Sequence, residues 1–105
     1  ETNRVAVCGK AFFIHPLDLS DLKSVREFFN AFEQKYNNSH PLDVLVNNAG
    51  INTTGQSVDG LDLCFQSNMV GHFLLTRLLL PKLKMSKLHN SGGRIVNLSS
   101  VMHHF

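Results

Sequence analysis

The apolar positions of this chain fall into two rhythms, short continuous runs and longer stretches at helical spacing, and they alternate. Ala11-Phe12-Phe13-Ile14 is a β-type run stopped by Pro16, and Val5 to Cys8 is a weaker strand candidate ahead of it. Leu22, Val25, Phe28, Phe29, Phe32 and Tyr36 then recur on one helical face, with Lys23, Arg26, Glu27, Glu33 and Lys35 mostly opposite, which predicts a helix over 21–36. Ser20 is placed to cap it and Asp21 to sit in its first turn, where the helix dipole favours negative charge. Asn37-Asn38-Ser39 and Pro41 end it. Leu42 to Val46 is apolar apart from Asp43, as expected of a parallel strand covered on both faces. Residues 50–60 read as a loop. A long helix follows from Leu61 to Lys84, apolar nearly all round and so expected to be largely buried, with Pro81 expected to kink or weaken its last turns. Gly92-Gly93 turn the chain into a final strand, Arg94 to Leu98.

The predicted order is β-α-β-α-β, an α/β arrangement of right-handed crossovers and a parallel sheet. Residues 43–47 and 94–99 are expected to be adjacent parallel strands joined by the long helix. Ligands of such sheets bind beyond the carboxyl ends of the strands. Asp18, Asn47–Gly50 and Ser99–Ser100 each follow a predicted strand directly, so pattern alone gathers them at one edge.

Composition narrows the class. A chain of 105 residues, 43% hydrophobic and 17% charged, suits one small globular domain without a second. A net charge of +2 with dispersed basic residues argues against nucleic acid. No stretch reaches the ~18 apolar residues of a membrane span, since Arg77 interrupts Phe73 to Leu80. Cys8 and Cys64 lack paired spacing and read as thiols in a reducing, cytoplasmic setting, or on the cytosolic face of a membrane if a longer parent carries an anchor. No signal-peptide pattern or initiator Met opens the chain, which fits a segment cut from something longer. His15, His40, His72, His89, His103 and His104 show no metal-ligand spacing, so no metal is expected.

Each chemical motif has a plain alternative. Asn47-Asn48-Ala49-Gly50 is either an Asn-rich turn or a place where small residues let a flat ligand approach the main chain. The strand before it and the loop and helix after it favour the second. Asp18 is equally a helix-capping acid and a ligand contact. Asn68, in an apolar helix, needs partners for its amide and is in isolation a packing residue. Ser99 and Ser100 end a strand, where serines commonly satisfy backbone groups. No Gly-x-Ser-x-Gly elbow or base makes either a nucleophile.

Asn-Asn-Ala-Gly at 47–50, Asn-Met-Val-Gly-His-Phe from Asn68 and Arg-Ile-Val-Asn-Leu-Ser-Ser ending at Ser100, in this order and with these gaps, resemble the middle of a short-chain dehydrogenase/reductase. Gly-His-Phe-Leu-Leu-Thr and Asn-Leu-Ser-Ser-Val-Met-His-His are most similar to its retinol-dehydrogenase-like branch. The resemblance makes the predicted α/β sheet a partial Rossmann-type parallel sheet, the central segment of a doubly wound fold. It implies an NAD- or NADP-dependent oxidoreductase interconverting an alcohol and a carbonyl, on a small and plausibly hydrophobic substrate, and leaves a homo-oligomeric parent open. It implies that Asp18-Leu19 lies near the adenine and that Asn48, Ala49 and Gly50 approach the cofactor beside a more structural Asn47. It makes Asn68 the holder of a proton-relay water and Ser100 the catalytic hydroxyl. The family's Tyr-x-x-x-Lys pair and Thr-Gly-x-x-x-Gly-x-Gly loop do not occur; Tyr36, with His40 four residues on, does not match the Tyr. The 105 residues alone are therefore expected to be inactive. In the family's 3-2-1-4-5 strand order, the first strand here lies two missing strands from the second, a gap of about 14 Å. A partly bare Phe-rich face of helix 21–36 and partly bare flanks of strand 42–47 are the expected result. A nucleotide-sensing protein without catalysis, or a truncated product with no function of its own, are the alternative readings.

Overall fold

In the computed structural model, residues 10–36, 40–87 and 92–99 are described. Helix α1 spans Leu22–Tyr36, strand β1 Val44–Asn47, helix α2 Leu63–Phe65, a π-helical turn Gln66–Val70, helix α3 Gly71–Lys84 and strand β2 Arg94–Asn97. Strands β1 and β2 pair in parallel, with Val44 opposite Arg94 and Asn47 opposite Asn97. The adjacency and direction expected from the sequence are present, and both strands deliver their carboxyl ends to one edge.

The expected first strand is not. Residues 11–14 form no strand, because among the described residues the sheet consists of β1 and β2 alone and offers them no ladder partner. The Val5–Cys8 candidate and Cys8 lie outside the described residues. Residues 12 and 13 are exposed, and Lys35 Nζ stands 5.1 Å from the Phe12 ring centroid. The flanks of β1 are bare, as expected where neighbouring strands are missing, and β2 is bare too: Val44, Val46, Ile95 and Val96 are all exposed.

α1 packs on α3, which covers part of its apolar face and leaves the rest partly bare, as expected. Val25 and Phe32 join Leu19, Leu75 and Leu79 in the core, with Phe28 and Phe29 partly covered at its margin. The start of α1 is capped differently from the expectation. Asp21, not Ser20, accepts from the Lys23 N–H at 3.0 Å, while Ser20 is drawn back to Asp18, donating to its Oδ1 from both N–H and hydroxyl.

The long helix departs from its prediction in the middle. Asp62 caps it by accepting from the Phe65 N–H at 3.0 Å, and one π turn follows immediately. An inserted residue rotates everything downstream by ~100°. Phe65, Met69 and Phe73 form an exposed stripe, while Gln66 and Ser67 are buried. Gln66 tolerates full burial because its amide is engaged at both ends, accepting from Ser57 Oγ at 2.6 Å and donating to Asp59 Oδ2 at 2.7 Å. Pro81 does not end the helix, which continues to Lys84. Tertiary bonds hold the final turn. The Lys82 carbonyl accepts from Leu42 N–H, the Leu83 carbonyl accepts from Gly93 N–H, and Lys82 Nζ pairs with Glu33 Oε2 at 2.8 Å. No helix among the described residues is long and apolar enough to cross a membrane.

Candidate functional site

Beyond the carboxyl ends of β1 and β2 lies an open cavity of about 1200 Å³, walled by residues 47–52, by the π turn and first half of α3, and by the end of β2. The sequence motifs meet there. Asn48, Ala49 and Gly50 form one wall, Asn68 another, and Ser99 the rim beyond β2. Ser100 lies outside the described residues.

The first wall is anchored by Asn47, which is buried at the end of β1. Its Nδ2 donates to Asn97 Oδ1 at 2.8 Å and to Thr76 Oγ1 at 3.2 Å, tying β1 to β2 and to α3 at once. Its side chain thus serves the framework, and the residues after it form the surface. Asn48, Ala49 and Gly50 are all exposed to the cavity, and the small side chains of the last two leave the main chain open. A Cβ built on Gly50 would stand 3.4 Å from Asn68 Oδ1, so a larger residue there would press on the Asn68 amide.

Asn68 sits within the π turn and faces the loop. Its Oδ1 accepts from Ile51 N–H and its Nδ2 donates to the Ile51 carbonyl, both at 2.8 Å. The loop continues to Cys64, a free, half-buried thiol whose Sγ accepts from the Thr53 N–H at 3.2 Å and donates to the Thr53 carbonyl at 2.8 Å. Ser57 Oγ accepts from the N–H groups of Asp59 and Leu61, closing the turn. Asp59 then reaches α1, where its Oδ2 accepts from the Leu22 N–H at 3.0 Å. That bond first, and then the Gln66 amide, hold the Asp59 carboxyl below the usual carboxylate range; desolvation opposes them, and the Arg26 charge adds the smallest lowering.

Asp18 and Leu19 are set apart from these residues. Neither lines the cavity; Asp18 is engaged with Ser20, and the Leu19 side chain packs in the core beneath Gly71. Helix and turn approach so closely there that a Cβ on Gly71 would fall 2.4 Å from the Leu19 carbonyl oxygen. The Gly of the Asn-x-x-Gly motif is therefore a contact point between backbones.

Sequence reasoning passed over His72, Thr76 and Asn97. The His72 ring faces Asn47 and Ala49, with Nδ1 3.2 Å from Asn47 Oδ1 and Nε2 2.8 Å from the Ala49 carbonyl oxygen. Two signals were available. His72 and Thr76 stand four apart on one helical face, and Val-Leu-Val-Asn and Arg-Ile-Val-Asn each end in an Asn at the same register position. Ile95 and Leu98 of the β2 side, with Met69 and Phe73 of the helix, give the remaining wall an apolar character.

A family model described as short chain dehydrogenase matches residues 2–105. Short-chain dehydrogenase TIC 32 A, chloroplastic, from Brassica napus is 50% identical over 91 residues, covering 83% of this chain and 27% of that protein. Retinol dehydrogenase 11 from Mus musculus is 44% identical over 104 residues, covering 94% of this chain and 30% of that protein. The chain thus spans less than a third of the length of these relatives. Among solved structures, an NADPH-bound carbonyl reductase from chicken fatty liver superposes with a TM-score of 0.62 at 28% identity, over 81% of this chain and 36% of that one.

Proposed function

This chain belongs to the short-chain dehydrogenase family, and we propose that it is the central part of an NAD(P)-dependent oxidoreductase interconverting an alcohol and a carbonyl. The observation carrying this reading is the convergence of Asn48–Gly50, Asn68 and Ser99 on one cavity beyond the strand ends. The residues present fit a nicotinamide cofactor, because Ala49 and Gly50 leave a stretch of main chain exposed at the wall. When bound, the cofactor supplies or accepts the hydride. The chain's own part is to offer flat main-chain surface and an apolar wall suited to a hydrophobic substrate, and to hold both in register through Asn47 and Asn68. Ser100, next after the rim residue Ser99, is the proposed donor to the substrate's carbonyl oxygen, stabilising negative charge there. Asp18 and Leu19 are proposed to meet the adenine end outside the cavity.

The reading extends to the isolated segment, which holds neither a glycine-rich loop to cradle pyrophosphate nor a Tyr-x-x-x-Lys pair to exchange the hydroxyl proton. By itself it is proposed to be inactive and to bind cofactor weakly. In a longer protein carrying this segment, Ser100→Ala is expected to lower turnover by a factor of ~10² with little loss of cofactor affinity. Near-normal turnover would remove Ser100 from the mechanism. Saturable micromolar NADPH binding by the 105-residue chain, about −8 kcal/mol, would overturn the proposal for the isolated segment.

A further inference from the structure

His72, in the first turn of α3, lies between two oxygens: Asn47 Oδ1 at 3.2 Å from Nδ1 and the Ala49 carbonyl at 2.8 Å from Nε2. A neutral imidazole has one N–H and one lone pair, so it pairs with one oxygen and turns a lone pair on the other. Asn47 is held where it is, buried and donating to Asn97 and Thr76. Two arrangements leave every one of these groups paired. In one, the ring is an imidazolium and donates to both oxygens. In the other, the ring is neutral with its proton on Nε2 for Ala49, and the Asn47 amide is turned over to donate to Nδ1. The Asn47 oxygen then accepts from the Thr76 hydroxyl and from an Asn97 amide that has also turned over. An amide's oxygen and NH₂ occupy nearly the same space, so the exchange needs no repacking.

We infer that His72 is a positioning residue: it fastens the turn bearing Asn48–Gly50 to α3, and its protonation state sets which way the Asn47 and Asn97 amides face. The inference rests on the functional reading above only in that this turn and Asn97 line the proposed cofactor cavity. Proton loss from the ring converts the end of the Asn97 amide turned away from Asn47 from donor to acceptor. One wall of the cavity then presents a different hydrogen-bonding group.

Among the described residues, the surroundings leave this coupling to the ring itself. On α3 the next charge is Arg77, whose guanidinium lies 5.9 Å from the Phe73 ring centroid. Asp43 and Arg94 stand at the opposite ends of the strands, and Asp43 accepts from Ser86 there. Among the described residues, Cys64 is the other titratable side chain of the cavity wall and is engaged with Thr53. Asp18, in the turn packed against Gly71, is bonded to Ser20.

The test uses the 105-residue chain with ¹⁵N-labelled imidazole and amide nitrogens, titrated by NMR from about pH 5 to about pH 8, the span in which imidazoles change charge. The expected result is that the side-chain amide signals of Asn47 and Asn97 move together with the His72 transition, and that the neutral ring carries its proton on Nε2. His72→Gln retains a donor for Ala49, so it should keep amide exchange at Gly50 and Ile51 near native and abolish the pH dependence of the Asn signals. His72→Phe should speed that exchange by about tenfold. Asn signals that follow another histidine or do not titrate, a neutral ring protonated on Nδ1, or native-like exchange in His72→Phe would each overturn the inference. No cofactor enters these measurements. An NADPH titration of the same sample that shows no binding while the amides titrate with His72 leaves the inference standing and counts against a cofactor site in this chain.

Discussion

Asn68 pairs with Ile51 as one strand residue pairs with another, its amide oxygen accepting the Ile51 N–H and its NH₂ donating to the Ile51 carbonyl. The side chain of a helical residue thus stands in for the ladder neighbour that the loop lacks. Asn68→Ala removes both bonds, each worth about 1 kcal/mol net. Amide exchange at Ile51 is expected to rise by roughly tenfold or more, with a smaller change in the β1 and β2 amides. Asn68→Asp keeps an acceptor for the N–H but sets a carboxylate against the carbonyl, so it should resemble Ala rather than the native chain. Equal protection of Ile51 in all three proteins would show that the pairing does not hold the loop.

Gly71→Ala tests the backbone approach beneath the same turn. The new methyl would sit 2.4 Å from the Leu19 carbonyl oxygen and 2.9 Å from its Cβ, so α3 and the turn before α1 must separate. Overpacking of this kind costs about 1–3 kcal/mol, against a helix-propensity gain of up to ~1 kcal/mol. The expected outcome is a lower thermal midpoint. Gly60→Ala is the control: its Cβ meets nothing within 4 Å, but its φ of 83° makes the change a purely backbone one. A Gly71→Ala midpoint at or above native would mean the two backbones are not held together.

How far the sequence carried is clear from particular elements. α1, the β1–β2 pairing and the meeting of Asn47–Gly50 with Ser99 were legible because each rests on local periodicity and on the parallel-crossover rule. Asp18, gathered with them by the same pattern, lies apart, and Asn68 was singled out by its motif alone. The segment 11–14 was misread because a strand needs a partner, and run composition does not supply one. The π turn left no trace in hydrophobic spacing, since Phe65, Met69 and Phe73 fit an ordinary helix equally well. Its motive is polar: it buries Gln66 onto Ser57 and Asp59 while turning Asn68 to Ile51. The His72–Asn47–Asn97 cluster was missed because it joins residues from three elements, and only the strand register brings them together.

Lys82 and Glu33 give a third expectation. Lys82 is almost wholly buried, its ammonium 2.8 Å from Glu33 Oε2 and 5.8 Å from the Phe32 ring centroid, while the second Glu33 oxygen is buried without a hydrogen-bond partner among the described residues. Removing one member of such a pair leaves an uncompensated charge, whereas replacing both with apolar residues is often neutral or stabilising. Lys82→Met alone, which takes the cation away from the Glu33 carboxylate, should therefore destabilise by about 3 kcal/mol. Lys82→Met with Glu33→Leu should recover most of that loss. Denaturant midpoints for the two single variants and the double close the cycle, and purely additive losses would show that the pair is not coupled.

Asp59 makes stability depend on acid in a stated direction. Its carboxylate accepts from the Leu22 N–H and the Gln66 amide, joining the loop after the site to the start of α1, and it titrates below the ordinary 3.8. The unfolded chain, with the ordinary value, therefore takes up this proton first as pH falls. The contribution of Asp59 is fully present above about pH 3.8 and is lost as pH drops through the lower folded-state value. Asp59→Asn keeps the shape but not the charge-assisted acceptor. The difference in thermal midpoint between native and Asp59→Asn proteins should be constant near neutral pH and shrink below about pH 3.8, as the native carboxyl itself becomes neutral. A difference that persists unchanged into that acid range would mean the anion does not hold α1 to the loop, and that shape alone does.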